Sequence, residues 1–270
     1  MLSLARHQTA TLTPLPCGAT RVTLDRRLRA QAGSHAFLYL PGIAACQAHP
    51  FTLLLRDPVE FVVVARNGFT KKLHERACAE PGARLRVAIE GPYGTVPDAN
   101  AFANVVIFAG GSGATFAFAL ATEWSRNATE VGKRLEIVWS IRDAACLQWF
   151  EKELAMLSTD SRITITVHVT QSSKAKVDVV DNVLRESLDR DVEKTAAPTS
   201  PQSSSIDIQT GRPDVSAIVK AVVESSEPAD RLLVAACGPS GLILATEEAT
   251  RSWYSSRGAS VQLHVETFSV

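Results

Sequence analysis

Up to about residue 100, apolar positions come in short runs broken by Gly, Pro, Asn or Asp: Arg21–Leu24, Ala36–Leu40, Thr52–Leu55, Glu60–Val64 and Leu85–Ile89. Short β-type runs at such regular spacing predict a small antiparallel barrel, interrupted by one helical stretch from Lys71 to Cys78. From Val105 the period changes. Val105–Ala109 reads as a buried strand, followed by a helix from Ala114 to Arg126. Leu135–Ser140, Ile163–Val169, Arg231–Ala235 and Val261–Glu266 read as further strands, with a helical run through Phe150–Leu157 between the first two. Strands alternating with helices predict a parallel sheet covered on both faces. The fold class is therefore β followed by α/β: an antiparallel barrel over residues 1–100, then a Rossmann-like nucleotide-binding domain over 101–270, with the boundary near Pro97–Ala103. Residues 170 to about 212 break the rhythm. The Ser-, Thr- and Pro-rich stretch Thr195–Ser205 has no apolar period and predicts a mobile surface insert without chemistry of its own.

Charge narrows the function classes. With 28 basic and 28 acidic side chains the formal net charge is zero, which removes any bulk electrostatic case for nucleic acid or an anionic membrane. No run of 18 apolar residues is present, and the first 20 residues lack the charged start and long apolar stretch of a secretion signal. A soluble chain facing the cytosol is expected. The five cysteines form no CxxC pair, so neither a zinc ribbon nor a plant-type iron–sulfur cluster is expected, and no metal site is assigned.

Four motifs carry the candidate chemistry. His49-Pro50-Phe51-Thr52 presents an imidazole, a rigid ring, an aromatic and a hydroxyl in one short stretch, suited to gripping a flat, polar-edged ring system. An edge strand that begins at a proline is the competing reading. Gly110-Gly111-Ser112-Gly113-Ala114-Thr115 follows a strand and feeds a helix, where free N–H groups and absent side chains admit a pyrophosphate. The strict G-x-G-x-x-G pattern is not met, because Phe116 takes the last position. Cys237-Gly238-Pro239 follows another parallel strand, at the end of the sheet where α/β folds bind ligands; a buried cysteine acting as a small hydrophobe is the alternative. Arg142 and Asp143 stand side by side past the second parallel strand, where the arginine favours a 2′-phosphate and the acid a free ribose, so the residues lean towards NADPH over NADH. Glu90-Gly91-Pro92-Tyr93-Gly94 closes the last strand of the first half as a turn. Arg66 and Thr70 either reach a pyrophosphate or mark a solvated strand end.

In this order the motifs resemble the cytosolic FAD- and NADPH-binding module of the ferric reductase and NADPH oxidase family, fungal ferric-chelate reductases above all, within the ferredoxin-reductase fold. The likeness covers roughly residues 20–170 and 211–270, including Gly68-Phe69-Thr70-Lys71-Lys72-Leu73 and Gly211-Arg212-Pro213-Asp214. The resemblance implies that His49, Pro50, Phe51 and Thr52 hold FAD, with Arg66 and Thr70 on its phosphates or ribityl chain. It further implies that Gly110–Thr115 cradle the NADPH pyrophosphate, with Gly238 and Pro239 beside it, that Arg142 meets the adenosine phosphate, and that Arg212 borders the nucleotide. Cys237, with Glu266 as a second candidate, would line the nicotinamide contact, and Phe268 would cover the flavin in place of the family's terminal aromatic. The implied activity is electron transfer from NADPH through FAD to a haem-bearing membrane partner or a ferric chelate. A catalytically degenerate nucleotide-binding module from a truncated membrane reductase is the rival.

Overall fold

The computed structural model describes residues 8–45, 47–127, 132–171, 206–254 and 260–267. Two compact units emerge: Met1–Pro97 with Thr115–Glu123, and Asp98–Ala114 with Trp124–Val270.

The first unit holds β1 (Gln8–Leu15), β2 (Ala19–Leu24), β3 (His35–Tyr39), β4 (Ala48–Thr52), β5 (Leu55–Arg56), β6 (Val59–Val64), α1 (Phe69–Ala79) and β7 (Arg84–Tyr93). The strands pair antiparallel in the order β4-β3-β7-β1-β2-β6-β5. β4 comes back against β6, so the sheet curls into the expected barrel. Helix α1 buries Phe69, Leu73 and Ala77, a stripe at four-residue spacing that enters the same core as Leu12, Val22, Leu38 and Phe61. A buried ion pair, Arg21 with Glu60, ties β2 to β6.

Two expectations shift here. The apolar run Thr52–Leu55 is not one strand, since β4 ends at Thr52. Leu53 and Leu54 form a buried bend whose backbone N–H groups donate to Ser34 and Glu60 carbonyls. β1 has no counterpart among the sequence-derived strands.

The second unit contains β8 (Asn104–Gly110), helix α2 (Ala114–Asn127, whose middle turns belong to the first unit), β9 (Arg134–Ile141), α3 (Glu151–Ser158), β10 (Ile163–Val169), β11 (Ile206–Thr210), α4 (Val215–Ser225), β12 (Leu232–Cys237), α5 (Ser240–Arg251) and β13 (Val261–Glu266). All six strands run parallel in the order β11-β10-β9-β8-β12-β13. Valines of β8, β9 and β12 pack against Val215, Val219 and Val223 of α4. The expected surface insert is corrected at one end, because residues 206–210 form β11, an edge strand paired with β10. Residues 172–205 of that insert lie outside the described residues. β12 runs on to Cys237, so this cysteine is the strand's last residue rather than the first of a loop.

Candidate functional site

Strand order in the second unit reverses between β8 and β12, the place where an open parallel sheet leaves a crevice at its carboxyl ends. Two glycine-bearing turns meet there. A Cβ built on Gly113 would lie 2.1 Å from the Cys237 carbonyl oxygen, one on Gly110 2.4 Å from Pro239 Cδ, and one on Gly238 2.9 Å from the Gly110 nitrogen. Those three glycines exist because the turns interlock. Gly111 differs: its φ is +53° and a Cβ there would meet nothing within 4 Å, so its backbone faces open space. Its carbonyl is held from beneath by Trp139 Nε1 at 3.1 Å. Ser112 is half-buried and Ala114 is buried. Thr115, the second residue of α2, keeps a buried hydroxyl without a hydrogen-bond partner, as does Ser140, which is paired in register with Gly110. An open backbone turn, a helix start and unpartnered hydroxyls fit a dinucleotide phosphate.

Past β9, Asp143 accepts the Ala145 N–H at 2.8 Å and caps the following 3₁₀ turn, while Arg142 stays exposed. The acid that would favour NADH is thus engaged with the backbone, and the arginine beside it is free of the cap. Arg212 is also exposed at the carboxyl end of the sheet, past β11, where Gly211 turns at φ +95° and Asp214 caps α4 through the Ala217 N–H at 2.9 Å.

The catalytic expectations fare differently. Cys237 is 0% exposed and covered by Gly113, so it does not line an open surface. Burial, with Glu266 adding to it, pushes its thiol up to about 12, and the group is protonated across the neutral range. In this structure it acts as the small hydrophobe of the competing reading. Glu266 closes β13 in register with Cys237 and lies 3.1 Å from His264 Nε2. Phe268 lies outside the described residues.

In the first unit, the side chains of β4 alternate between faces. His49 and Phe51 share the face of Leu38 and Ala36, whereas Pro50 and Thr52 share that of Phe37 and His35. His49 and Phe51 thus lie on one face of the strand and Pro50 and Thr52 on the other. What the sequence did not show is the partner of His49: its imidazole stacks on Phe69, with ring centres 4.4 Å apart and planes 27° from parallel, and Phe51 stacks on Phe69 at 6.2 Å. Phe69 is the first residue of α1. This contact brings the tetrapeptide against the start of a helix whose cap, Gly68, offers no side chain to the first-turn N–H groups. Arg66 is exposed beside it, with Lys71 and Lys72 in the first turn. Thr70 is engaged locally. Its hydroxyl accepts the Arg66 N–H at 2.9 Å and donates to the Asn67 carbonyl at 3.3 Å, so it shapes the turn that carries Arg66. An uncapped helix start with three cations and a stacked aromatic step fits a flavin nucleotide, phosphates on the helix and ring against the strand. Tyr93 and Tyr39 both donate to Glu90, at 2.8 and 2.9 Å, and hold its carboxyl below the usual range, which makes the Gly-Pro-Tyr-Gly turn a stitched structural element.

Residues 102–251 match the ferric reductase NAD binding domain, and residues 6–97 match the FAD-binding domain. The chain belongs to the ferric reductase family. Ferric reductase transmembrane component 5 of Saccharomyces cerevisiae is 29% identical over 252 residues, covering 89% of this chain and 35% of the relative. A probable ferric reductase transmembrane component of Candida albicans is 31% identical over 147 residues, covering 52% of this chain and 22% of that protein. This member of the family thus spans about a third or less of the length of these relatives. No helix among the described residues is long and apolar enough to cross a membrane. Among solved structures, the Amycolatopsis cytochrome P450 reductase GcoB superposes with a TM-score of 0.62 at 18% identity, over 97% of this chain and 70% of that one. A ferredoxin NADP+ reductase from Neisseria gonorrhoeae with bound FAD and NADP gives 0.59 at 12% identity, over 97% and 99%. These likenesses establish the ferredoxin-reductase fold, and the chain carries both an FAD-binding and an NAD-binding domain.

Proposed function

We propose that the chain conducts electrons from NADPH through FAD to a haem partner or a ferric chelate at the cytosolic face of a membrane. Residues 1–100 serve the flavin and residues 101–270 the nucleotide. The observation that carries this reading is the stack of His49 on Phe69, which joins the flavin-gripping strand to the phosphate-ready start of α1. Such an aromatic pair contributes about 0.5–1.5 kcal/mol beyond burial and fixes the distance between ring site and phosphate site.

Bound FAD supplies the conversion of a two-electron donor into one-electron steps. The chain's residues do the rest by position. Arg66, Lys71 and Lys72 neutralise the flavin phosphates, and Thr70 holds the Arg66 turn. The Gly110–Gly113 turn admits the NADPH pyrophosphate, Arg142 pairs with the 2′-phosphate, and Arg212 borders the adenosine side. Cys237 packs beneath Gly113 and keeps that turn in place, while Glu266 and His264 close the neighbouring strand end. No general base is needed for hydride transfer, and none is assigned.

The test is an anaerobic titration. Purified protein is loaded with FAD, desalted and treated with NADPH. Retained flavin whose absorbance bleaches supports the proposal. Protein that fails to keep FAD at micromolar concentration sinks the flavin site, and flavin bleached by dithionite but not by NADPH sinks the nucleotide site.

A further inference from the structure

We propose that Cys78 is a modification site for small disulfides of the glutathione type, with His74 as its base and Thr20 as the group that orients that base. Cys78 is exposed in the last turn of α1. Its Sγ lies 3.4 Å from Nε2 of His74, four residues earlier on the same helix face. The other ring nitrogen, Nδ1, lies 3.0 Å from Thr20 Oγ1. Thr20 is 0% exposed and sits in β2 between Pro14 of β1 and Val63 of β6, so the sheet fixes the imidazole against rotation. Nucleophile, base and orienting group thus occur in the arrangement that activates a thiol.

Both ring nitrogens have acceptors when the histidine is charged. Nε2–H then donates to the thiolate and Nδ1–H to the Thr20 hydroxyl, so the ion-pair form needs no rearrangement. On the same helix Lys71 lies within ion-pair distance of Glu75, and Arg76 of Glu80. Cys17, the other exposed cysteine among the described residues, occupies a turn at φ 55° without such a neighbour, and Cys146 and Cys237 are buried.

The chemistry is thiol–disulfide exchange. The Cys78 S–H bond gives its proton to His74 Nε2, and the thiolate attacks one sulfur of the incoming disulfide. That S–S bond breaks, the departing thiolate takes the proton from His74, and Cys78 is left in a mixed disulfide with one free thiol released. The incoming disulfide is the oxidant, so no further reagent is required.

The experiment treats the FAD-loaded protein with oxidised glutathione at pH 7 and follows each cysteine by site-resolved mass spectrometry. A base held within reach of the thiol predicts Cys78 reacting about tenfold faster than Cys17, which has none. His74→Gln should bring Cys78 down to the Cys17 rate and leave Cys17 itself unchanged. Thr20→Ser, which keeps the hydroxyl, should preserve the rate ratio, and circular dichroism checks that each variant is folded. Equal rates at the two cysteines in the wild-type protein, or a ratio unmoved by His74→Gln, would overturn the proposal.

Discussion

Gly113→Ala isolates the interlock between the two nucleotide-side turns. The added Cβ would lie 2.1 Å from the Cys237 carbonyl oxygen and 2.6 Å from its carbon, against an ordinary contact of at least 3.4 Å. The obstruction is backbone, and β12 is hydrogen-bonded to β8 on one side and β13 on the other, so Cys237 cannot yield. The Gly110–Gly113 turn must therefore move by about 1.3 Å, the difference between those distances. Overpacking of this kind costs about 1–3 kcal/mol, and an immovable backbone atom argues for about 3. In a protein of this size that lowers the melting temperature by roughly 6–12 °C. Misplacing the phosphate turn by about 1 Å should also reduce NADPH-dependent reduction of ferricyanide by roughly 100-fold. Calorimetry and steady-state turnover measure the two effects, with Gly241→Ala as the reference. Gly241 lies in α5 with nothing within 4 Å of its added carbon, so that variant should melt within about 2 °C of wild type. If Gly113→Ala also melts there and keeps its turnover, the interlock is not what holds the site.

Arg142→Ala should weaken NADPH by roughly 10- to 100-fold, the worth of a charge-assisted contact, and leave NADH unchanged; equal losses for both nucleotides in a KM comparison would remove the 2′-phosphate assignment. Asp160 is gripped by the Arg162 side chain through two hydrogen bonds of 2.9 and 2.7 Å, by Ser125 at 2.7 Å and by the Arg162 N–H at 3.1 Å, which hold its carboxyl at about 2 against 3.8 unfolded. A depressed carboxyl stabilises the fold above its unfolded value and loses that contribution as pH falls. After solvent screening, Asp160→Asn should cost about 1 kcal/mol at pH 7. In urea titrations the gap should close between pH 4 and 2, a window set by those two values; a constant gap would contradict the assignment. Cys237, buried and protonated, should resist iodoacetamide at pH 8 until the protein is unfolded in guanidinium, and native-state labelling would show that the Gly113 cover opens.

Local periodicity located most of the parallel sheet because its central strands β8 and β12 are near-continuous apolar runs and β9, β10 and β13 repeat an apolar residue at least every second position. Ile163–Val169 and Val261–Glu266 occur as read, and Leu135–Ser140 gains one residue at each end. Periodicity failed where burial and regular pairing part company. Leu53 and Leu54 are buried but lie in a bend. β1 contains Pro14 and alternating threonines, and β11 is a five-residue edge strand carrying Asp207 and Gln209, so neither presents an apolar run. In the site, motif order pointed to both cofactors, but contacts between motifs are not local. The His49–Phe69 stack spans 20 residues of sequence, and the commitments of Thr70 to its own turn and Asp143 to a cap need coordinates. The 3.1 Å bond from Trp139 to the Gly111 carbonyl, which props the glycine turn, likewise joins residues far apart in the sequence.

Pro50 has a bearing on how the molecule behaves in a crowded solution. β4 is the terminal strand in the hydrogen-bonding order of the antiparallel sheet, and an open strand edge is a template on which a second molecule can add. A proline in the middle of that strand has no N–H to offer, so the row of donors along the edge is interrupted at its centre. The same proline leaves a second molecule fewer donors to pair with along that edge.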